Sequence, residues 1–448
     1  MMLICSELLS TYLASRLILF SWGLRMKSYA FSLLLSLLIF GCDEEKNTPN
    51  APDPNGPLTP QEAVGEMLRG INMGNTLEPD TEGGWNNGPA QEYYFDDYRD
   101  AGFSCVRIPV KWGSHTTLSP PYTISPSWVQ RVEQVVNWGL DRDLYIILNA
   151  HHEGWLKEDY SESNKARFDS IWTQIAEHFA NHSEKLLFEM INEPHGLSLD
   201  QVNDLNFRIL PIIRDSNPTR IVIFSGHEWS SLNTMMQADI PEDDYLMAYW
   251  HSYDPWRFGG LAEGTWGTPA ERNAIVNMFD QATDWSTSNE IPVMISEFGA
   301  VHACDYNSRM LHYFTFVEQA VKNNVVFQAW DDGGYFGIYQ REAREWPEVK
   351  DILLFTTPLC PNELALNQAD ENNILISWTN RTTESTGIII ERSIDGGEFE
   401  ELTQLSADRT EYLDAVAGDH IYTYRIIASM EEVNDLYSYP IRTDNSSQ

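Results

Sequence analysis

Between about residues 62 and 356, short apolar runs alternate with longer segments whose apolar residues recur at three- and four-residue spacing. The runs are Gly70 to Asn75, Cys105 to Pro109, Tyr145 to Asn149, Leu186 to Ile191, Ile221 to Ser225, Leu246 to Trp250, Val293 to Ser296 and Val326 to Trp330. Each has the length and make-up of a strand. The segments between them, such as SWVQRVEQVVNWGL and NKARFDSIWTQIAEHF, carry the one-sided apolar stripe of a surface helix. Eight strand–helix units predict an α/β chain closed into a (β/α)8 TIM barrel over 62–358. A doubly wound open sheet is the competing arrangement, and no glycine-rich phosphate loop follows the first run to support it.

Past Cys360 the helical period disappears. Short strand-like runs take over in ENNILISWTN, TGIIIERSIDGGEFEEL and HIYTYRIIAS, and Asp395-Gly396-Gly397 supplies a hairpin turn. This predicts a small all-β sandwich over 362–442. Trp378, the IERSIDGG segment, Tyr422 and Tyr424 make it similar to a fibronectin type III module, expected to act as a spacer or as a packing partner for the barrel, with direct sugar binding as the alternative.

The N-terminal part reads differently again. Met26 and Lys27 open a basic start followed by the apolar run SYAFSLLLSLLIFGC, too short for a convincing membrane span and shaped like an export signal. Its end, Leu38-Ile39-Phe40-Gly41-Cys42, resembles a bacterial lipoprotein cleavage box, so residues 1–42 are read as leader and lipoprotein-type signal and Cys42 as the lipidated residue. Residues 43–61 are acidic, then rich in Pro, Asn and Gly, the composition of a flexible linker. Acidic residues directly after the cysteine resemble a surface-export signal of Bacteroidetes lipoproteins. The expectation is an exported, outer-membrane lipoprotein at the cell surface or facing the periplasm, monomeric and held to the bacterial outer membrane by a lipid anchor.

Charge narrows the ligand class. With 29 Lys and Arg against 66 Asp and Glu, the formal net charge is −37, which disfavours nucleic acid and anionic membrane surfaces as partners. A neutral polymer is not repelled, and 15 Trp and 20 Tyr offer rings for stacking. The five cysteines, Cys5, Cys42, Cys105, Cys304 and Cys360, have no zinc-like spacing and require no disulfide framework.

Polar residues gather where the apolar runs end: Asn75, Arg107, Asn149 with His151 and His152, Asn192 with Glu193, His227, His251, Glu297, and Trp330 with Asp331. In a (β/α)8 barrel those ends form one face, the one that carries catalysis. Two of them are carboxylates, Glu193 after the fourth run and Glu297 after the seventh. Cleaving an acetal calls for two such groups flanking the bond.

The ordered set NEP at 192–194, ISEFG at 295–299, RIPV at 107–110, HH at 151–152 and HSY at 251–253 resembles glycoside hydrolase family 5, the cellulase family. The resemblance runs from GINMGNTLE near residue 70 to AWDDGG near 330. It implies a retaining double displacement, with Glu193 as acid/base and Glu297 as nucleophile. Asn192 is then expected to bind the sugar 2-hydroxyl, Arg107 to hold the nucleophile ionised, and Tyr253 to donate its phenol to Glu297. His251 is expected to face the same mouth. His151 and His152 are expected to line the subsite and help orient the acid/base, and Trp330 to lie beneath the sugar. Trp85, Trp155, Trp256 and Trp266 sit in strand-to-helix loops that extend the cleft.

No cofactor and no metal are expected. A metal hydrolase built on the His-His-Glu run with His195, His227 and His251 lacks HExxH spacing. A glycan-capturing lipoprotein without activity is the reading from another class. Endo-cleavage of a β-1,4-glucan such as cellulose is the expected activity, with mannan and xyloglucan as alternatives.

Overall fold

The computed structural model describes residues 56–431 and 433–443; Cys42, and with it the signal and lipidation readings, lies outside them. Eight parallel strands close into a barrel in sequential order: β1 (Arg69–Asn72), β2 (Cys105–Ile108), β3 (Tyr145–Asn149), β4 (Leu186–Glu189), β5 (Val222–Phe224), β6 (Leu246–Ser252), β7 (Val293–Phe298) and β8 (Val326–Ala329). β1 pairs with both β2 and β8, which completes the closure. The two segments read as helices are Pro126–Leu140 and Glu162–His178.

Alternation along each strand divides the side chains between two cores. Val106, Ile108, Ile146, Leu148, Phe188 and Val222 face outward into the layer beneath the helices. Cys105, Tyr145, Ile147, Leu187, Ile223, Met247, Met294 and Val326 face inward, as the period-two pleat requires. The helix Pro60–Met67, opened by a capping box at Thr59 and Glu62, lays Ala63, Val64 and Met67 against this inner layer and closes the lower mouth.

One strand step above the apolar layer, the inward positions turn polar: Asn72, Arg107, Asn149, Glu189 and His251 are all buried. Burying so many polar groups is costly unless they satisfy one another. Here they do.

β6 and β7 run two residues past their expected ends, and between them the register slips: Trp250 pairs with Ile295 but His251 with Glu297. Ser296 is the extra residue of a β-bulge, the device that re-aims a strand near an active site.

The C-terminal region forms two antiparallel sheets. β9 (Asn362–Asp370), β10 (Asn373–Thr379) and β13 (Glu411–Ala415) make one; β11 (Gly387–Ile394), β12 (Glu400–Leu405), β14 (Tyr422–Ser429), β15 (Leu436–Tyr437) and β16 (Ile441–Arg442) make the other. The module packs on the barrel helix Tyr306–Lys322. Asn307 and the backbone of Arg442 exchange hydrogen bonds of 2.9 and 2.8 Å, and the Phe314 and Tyr439 rings meet at 5.0 Å.

Candidate active site

Arg107 organises the floor of the barrel mouth. Its Nε and Nη2 donate to Glu189 at 2.7 and 2.6 Å. Nη1 donates to Asn72 Oδ1 at 2.9 Å and to Glu297 Oε1 at 2.6 Å, and Nη2 reaches Asn192 Oδ1 at 2.7 Å. Burial opposes the guanidinium charge, but Glu189 and Glu297 more than offset it and raise the pKa above its ordinary value. Asn149 extends the network by donating to Glu189 Oε1 at 2.9 Å. With Oδ1 of Asn192 taken by Arg107, the NH2 end is the part of that amide left to donate to a ligand.

Glu193 and Glu297 meet above this floor. Carboxylate oxygens of both, and a ring nitrogen of His251, lie within 4.8 Å of one another. Glu297 also accepts the Tyr253 hydroxyl at 2.9 Å. Glu193 has neither guanidinium nor phenol; its Oε1 faces His251 Nδ1 at 2.8 Å, and His251 Nε2 meets Ser296 Oγ at 2.9 Å. The bulge makes this possible, because it turns Ser296 and Glu297 into the same mouth. Glu193 itself has φ +38°, a left-handed conformation uncommon for glutamate and typical of strained functional positions. Tyr249 pins that turn: its hydroxyl donates to Ile191 O at 2.6 Å and accepts from Glu193 N at 3.1 Å.

Burial acts to raise the Glu193 carboxyl, but the hydrogen bond and charge of His251, with Lys157 and Arg107 behind it, leave it below its ordinary value. Burial lifts Glu297 above its ordinary value against the pull of His251 and Arg107. The two carboxylates thus titrate as a pair. Direct donors still distinguish the two carboxylates, since the guanidinium and the phenol both point at Glu297.

His151 and His152 stand across the mouth, and here the geometry corrects the expectation: the histidine bonded to Glu193 is His251. The nearest carboxylate to both is Glu78, whose Oε1 lies 3.6 Å from His151 Nε2 and 3.8 Å from His152 Nε2. Glu78 is fully buried, and burial pushes its pKa up to about 8. His151 is held neutral by burial and by nearby His152 and Arg107, and burial lowers His152 to about 4. Asn149 Nδ2 lies 3.0 Å from His151 Nδ1; because that amide nitrogen is a donor, Nδ1 accepts and Nε2 carries the proton.

The same reasoning weighs against a metal. At Glu78, His151 and His152 the Nε2 of His151 is a donor. At Glu193, His251 and Glu297 the ring nitrogens and the Glu297 oxygens are already engaged. His195 and His227 are not gathered with His251: the His195 ring stacks on Trp229 at 4.1 Å.

Trp330 is half-buried and lies parallel to His151, with centroids 6.0 Å apart. Gly74 makes room for it, since a Cβ there would sit 2.9 Å from the indole and from Asp331 O. Among the loop tryptophans, Trp85 and Trp256 are exposed and Trp155 is half-buried. Trp266 departs from the expectation: it is buried against Phe258 and His312. Asp331 also serves the scaffold, accepting from Gly333 N and Ile338 N to shape the loop after β8.

Residues that strand-end reasoning missed are Glu189 and Asn72, which end β4 and β1 but fall inside the longer predicted runs, Tyr249, Ser296, Glu78, Lys157 and the exposed Trp229. Glu78 was readable as the last residue of the segment GINMGNTLE, just past the first run; the others carry no local signal.

The family model for cellulase, glycosyl hydrolase family 5, matches residues 62–334. Endoglucanase H of Acetivibrio thermocellus is 45% identical over 305 residues, covering 66% of this chain and 34% of its own length. Endoglucanase B of Ruminococcus albus is 31% identical over 67% of this chain and 81% of its own. Among solved structures, a tri-modular endo-β-1,4-glucanase from Bacillus licheniformis in complex with cellotetraose superimposes with TM-score 0.74 at 30% identity, covering 86% of this chain and 79% of that one. An endoglucanase from Thermotoga maritima matches with TM-score 0.64 at 31% identity over 66% of this chain and all of that one. With the family model spanning more than half of its length, this chain belongs to glycosyl hydrolase family 5, the cellulase family.

Proposed function

We propose that the protein is a retaining, endo-acting glycoside hydrolase that cuts β-1,4-linked polysaccharide, cellulose or a related β-glucan. The observation that carries this reading is the pair of carboxylates whose oxygens approach within 4.8 Å, the close approach that suits a covalent intermediate.

Glu297 attacks the anomeric carbon while Glu193 protonates the departing oxygen. Arg107 and Tyr253 fix the attacking carboxylate and keep it ionised. Glu193 is the more open of the two, with 20% of its side chain exposed against 6% for Glu297. A bound sugar therefore removes more water from Glu193 and raises it selectively, giving the acid its proton. Ester formation then removes the negative charge of Glu297, the Glu193 pKa falls, and Glu193 takes a proton from the water that releases the sugar. Trp330 supplies the stacking surface beneath that sugar.

The test is release of reducing ends from β-1,4-glucan, mannan, xyloglucan and xylan side by side. Highest activity on glucan supports the reading. Sugar binding without new reducing ends supports the non-catalytic alternative. Mannan is a specific alternative, since a Thermotoga maritima relative has been solved with cellobiose and with mannotriose.

Two further readings belong with this one. The strand orders β13-β10-β9 and β12-β11-β14-β15, with β16 also on β14, support a fibronectin type III-like module. Cys42 is proposed as a lipidation site that places the enzyme on the bacterial outer membrane; Cys42→Ala should then abolish labelling by a radioactive fatty acid.

A further inference from the structure

Beside the acid/base lies a cavity of about 490 Å³ that the proposed mechanism does not use. Its volume falls in the range of sites for small ligands. Loops after β2, β3 and β4 build it, and its walls include Lys111, Trp155, Lys157, Arg167, His152 and His195. The last of these borders the acid/base: His195 Nδ1 lies 2.9 Å from Glu193 O.

In a chain of net charge −37, two of these cations are more than nine-tenths buried without an ion pair. Lys157 is 4% exposed, and among the described residues its ammonium finds one acceptor, His151 O at 3.2 Å. Arg167 is 7% exposed; Nη2 donates to Gly113 O and Thr116 O, while Nε has no partner. Its guanidinium lies 4.2 Å from the Trp155 ring centre, which holds it at the cavity wall. A buried cation with unspent donors is costly unless an anion arrives to use them. Burial lowers the Lys157 pKa to about 8 against the opposing charges of Glu193 and Glu153, neither of which reaches its ammonium as an ion pair. The carboxylates nearby are engaged or outside: Glu193 faces His251 at 2.8 Å, Asp80 holds Lys111 at 2.6 Å, Glu153 accepts from Trp112 N and Trp155 Nε1, and Glu158 is exposed at the rim.

We propose that this cavity is an anion-accepting subsite that seats a carboxylate-bearing sugar unit of the polysaccharide, a uronic acid residue or branch, next to the scissile bond. The carboxylate pairs with Lys157, with the Arg167 charge behind it, while the ring lies toward Trp155. The proposal rests on the hydrolase reading for its polymer, and adds which substituted polymer the site prefers.

The probes are cellohexaose and cellohexaose carrying a single C6 carboxylate. Affinity is measured by calorimetry on Glu193→Gln protein and kcat/KM on active protein. The carboxylated sugar should bind about tenfold more tightly, the worth of one charge-assisted hydrogen-bonded contact. Lys157→Gln should bring the ratio to near one. Gly154→Asp gives an independent check. Gly154 lines the cavity and an added Cβ meets only Glu158 Oε1 at 3.8 Å, so the new carboxylate fits, removes nothing and should reverse the preference. A ratio of one or less in the parent, or a ratio that neither substitution moves, overturns the subsite. Hydrolysis of the neutral sugar with no preference sinks the subsite alone. Failure to cleave either sugar sinks the hydrolase reading, and the calorimetric ratio still decides the subsite.

Discussion

Glu189→Gln tests the idea that a charge buried one layer below the catalytic pair sets its behaviour. Glu189 is fully buried and accepts three hydrogen bonds, two from Arg107 and one from Asn149. Glutamine in the same shape keeps the two bonds to Oε1 but turns its NH2 onto Arg107 Nε, donor against donor. Breaking one side of a buried ion pair costs about 3–5 kcal/mol, and the surviving bonds put this variant near the lower figure. At about 2 °C per kcal/mol for a large domain, the melting temperature falls by about 6 °C. Arg107 then answers to Glu297 alone. The nucleophile is held more firmly as a carboxylate, so its pKa falls and kcat/KM drops about tenfold, equivalent to about 1.4 kcal/mol of lost transition-state stabilisation. Scanning calorimetry reads the first effect, and the pH profile of kcat/KM on an aryl β-cellobioside reads the second. The acid limb should move to lower pH. An unchanged melting temperature with unchanged activity, or an acid limb that moves upward, refutes the reasoning.

Tyr253→Phe removes the phenol 2.9 Å from Glu297. Losing a hydrogen bond to a charged group costs about 1.5–3 kcal/mol, so kcat/KM should fall about 10- to 100-fold, with the acid limb moving to higher pH, opposite to the Glu189 variant. Glu78 supplies a stability test. Burial raises its folded pKa to about 8, above the unfolded value of about 4.3. Its contribution is therefore full below the unfolded value and is lost as pH rises through about 8. Glu78→Gln has no proton to lose and should gain stability relative to the parent as pH rises from about 4 to about 8; a melting-temperature difference that stays constant across that span contradicts the assignment.

The barrel was legible because its two periods, apolar runs and helical stripes, are set locally by burial, and eight repeats of them admit few topologies. Strand-end polar residues were legible for the same reason, since a polar side chain after an apolar run has the barrel mouth to enter. Glu189 and Asn72 were not, because the apolar-looking runs continue past the true strand ends, and inside those runs they read as interruptions until neighbouring strands align them with Arg107. The bulge at Ser296 is equally silent in sequence, yet it decides that His251 rather than His151 meets Glu193. Trp266 illustrates the converse. A loop tryptophan looks like a cleft residue, and only the packing of Phe258 and His312 shows it to be core.

The separate assignments of Glu193 and Glu297 are tested most directly by Glu297→Ala with an activated aryl β-cellobioside and azide. With the nucleophile removed, azide enters the vacated side and restores turnover, and the product should be an α-configured glycosyl azide. A β-configured azide would mean that a covalent intermediate still forms on another carboxylate, and that the two glutamates have been exchanged.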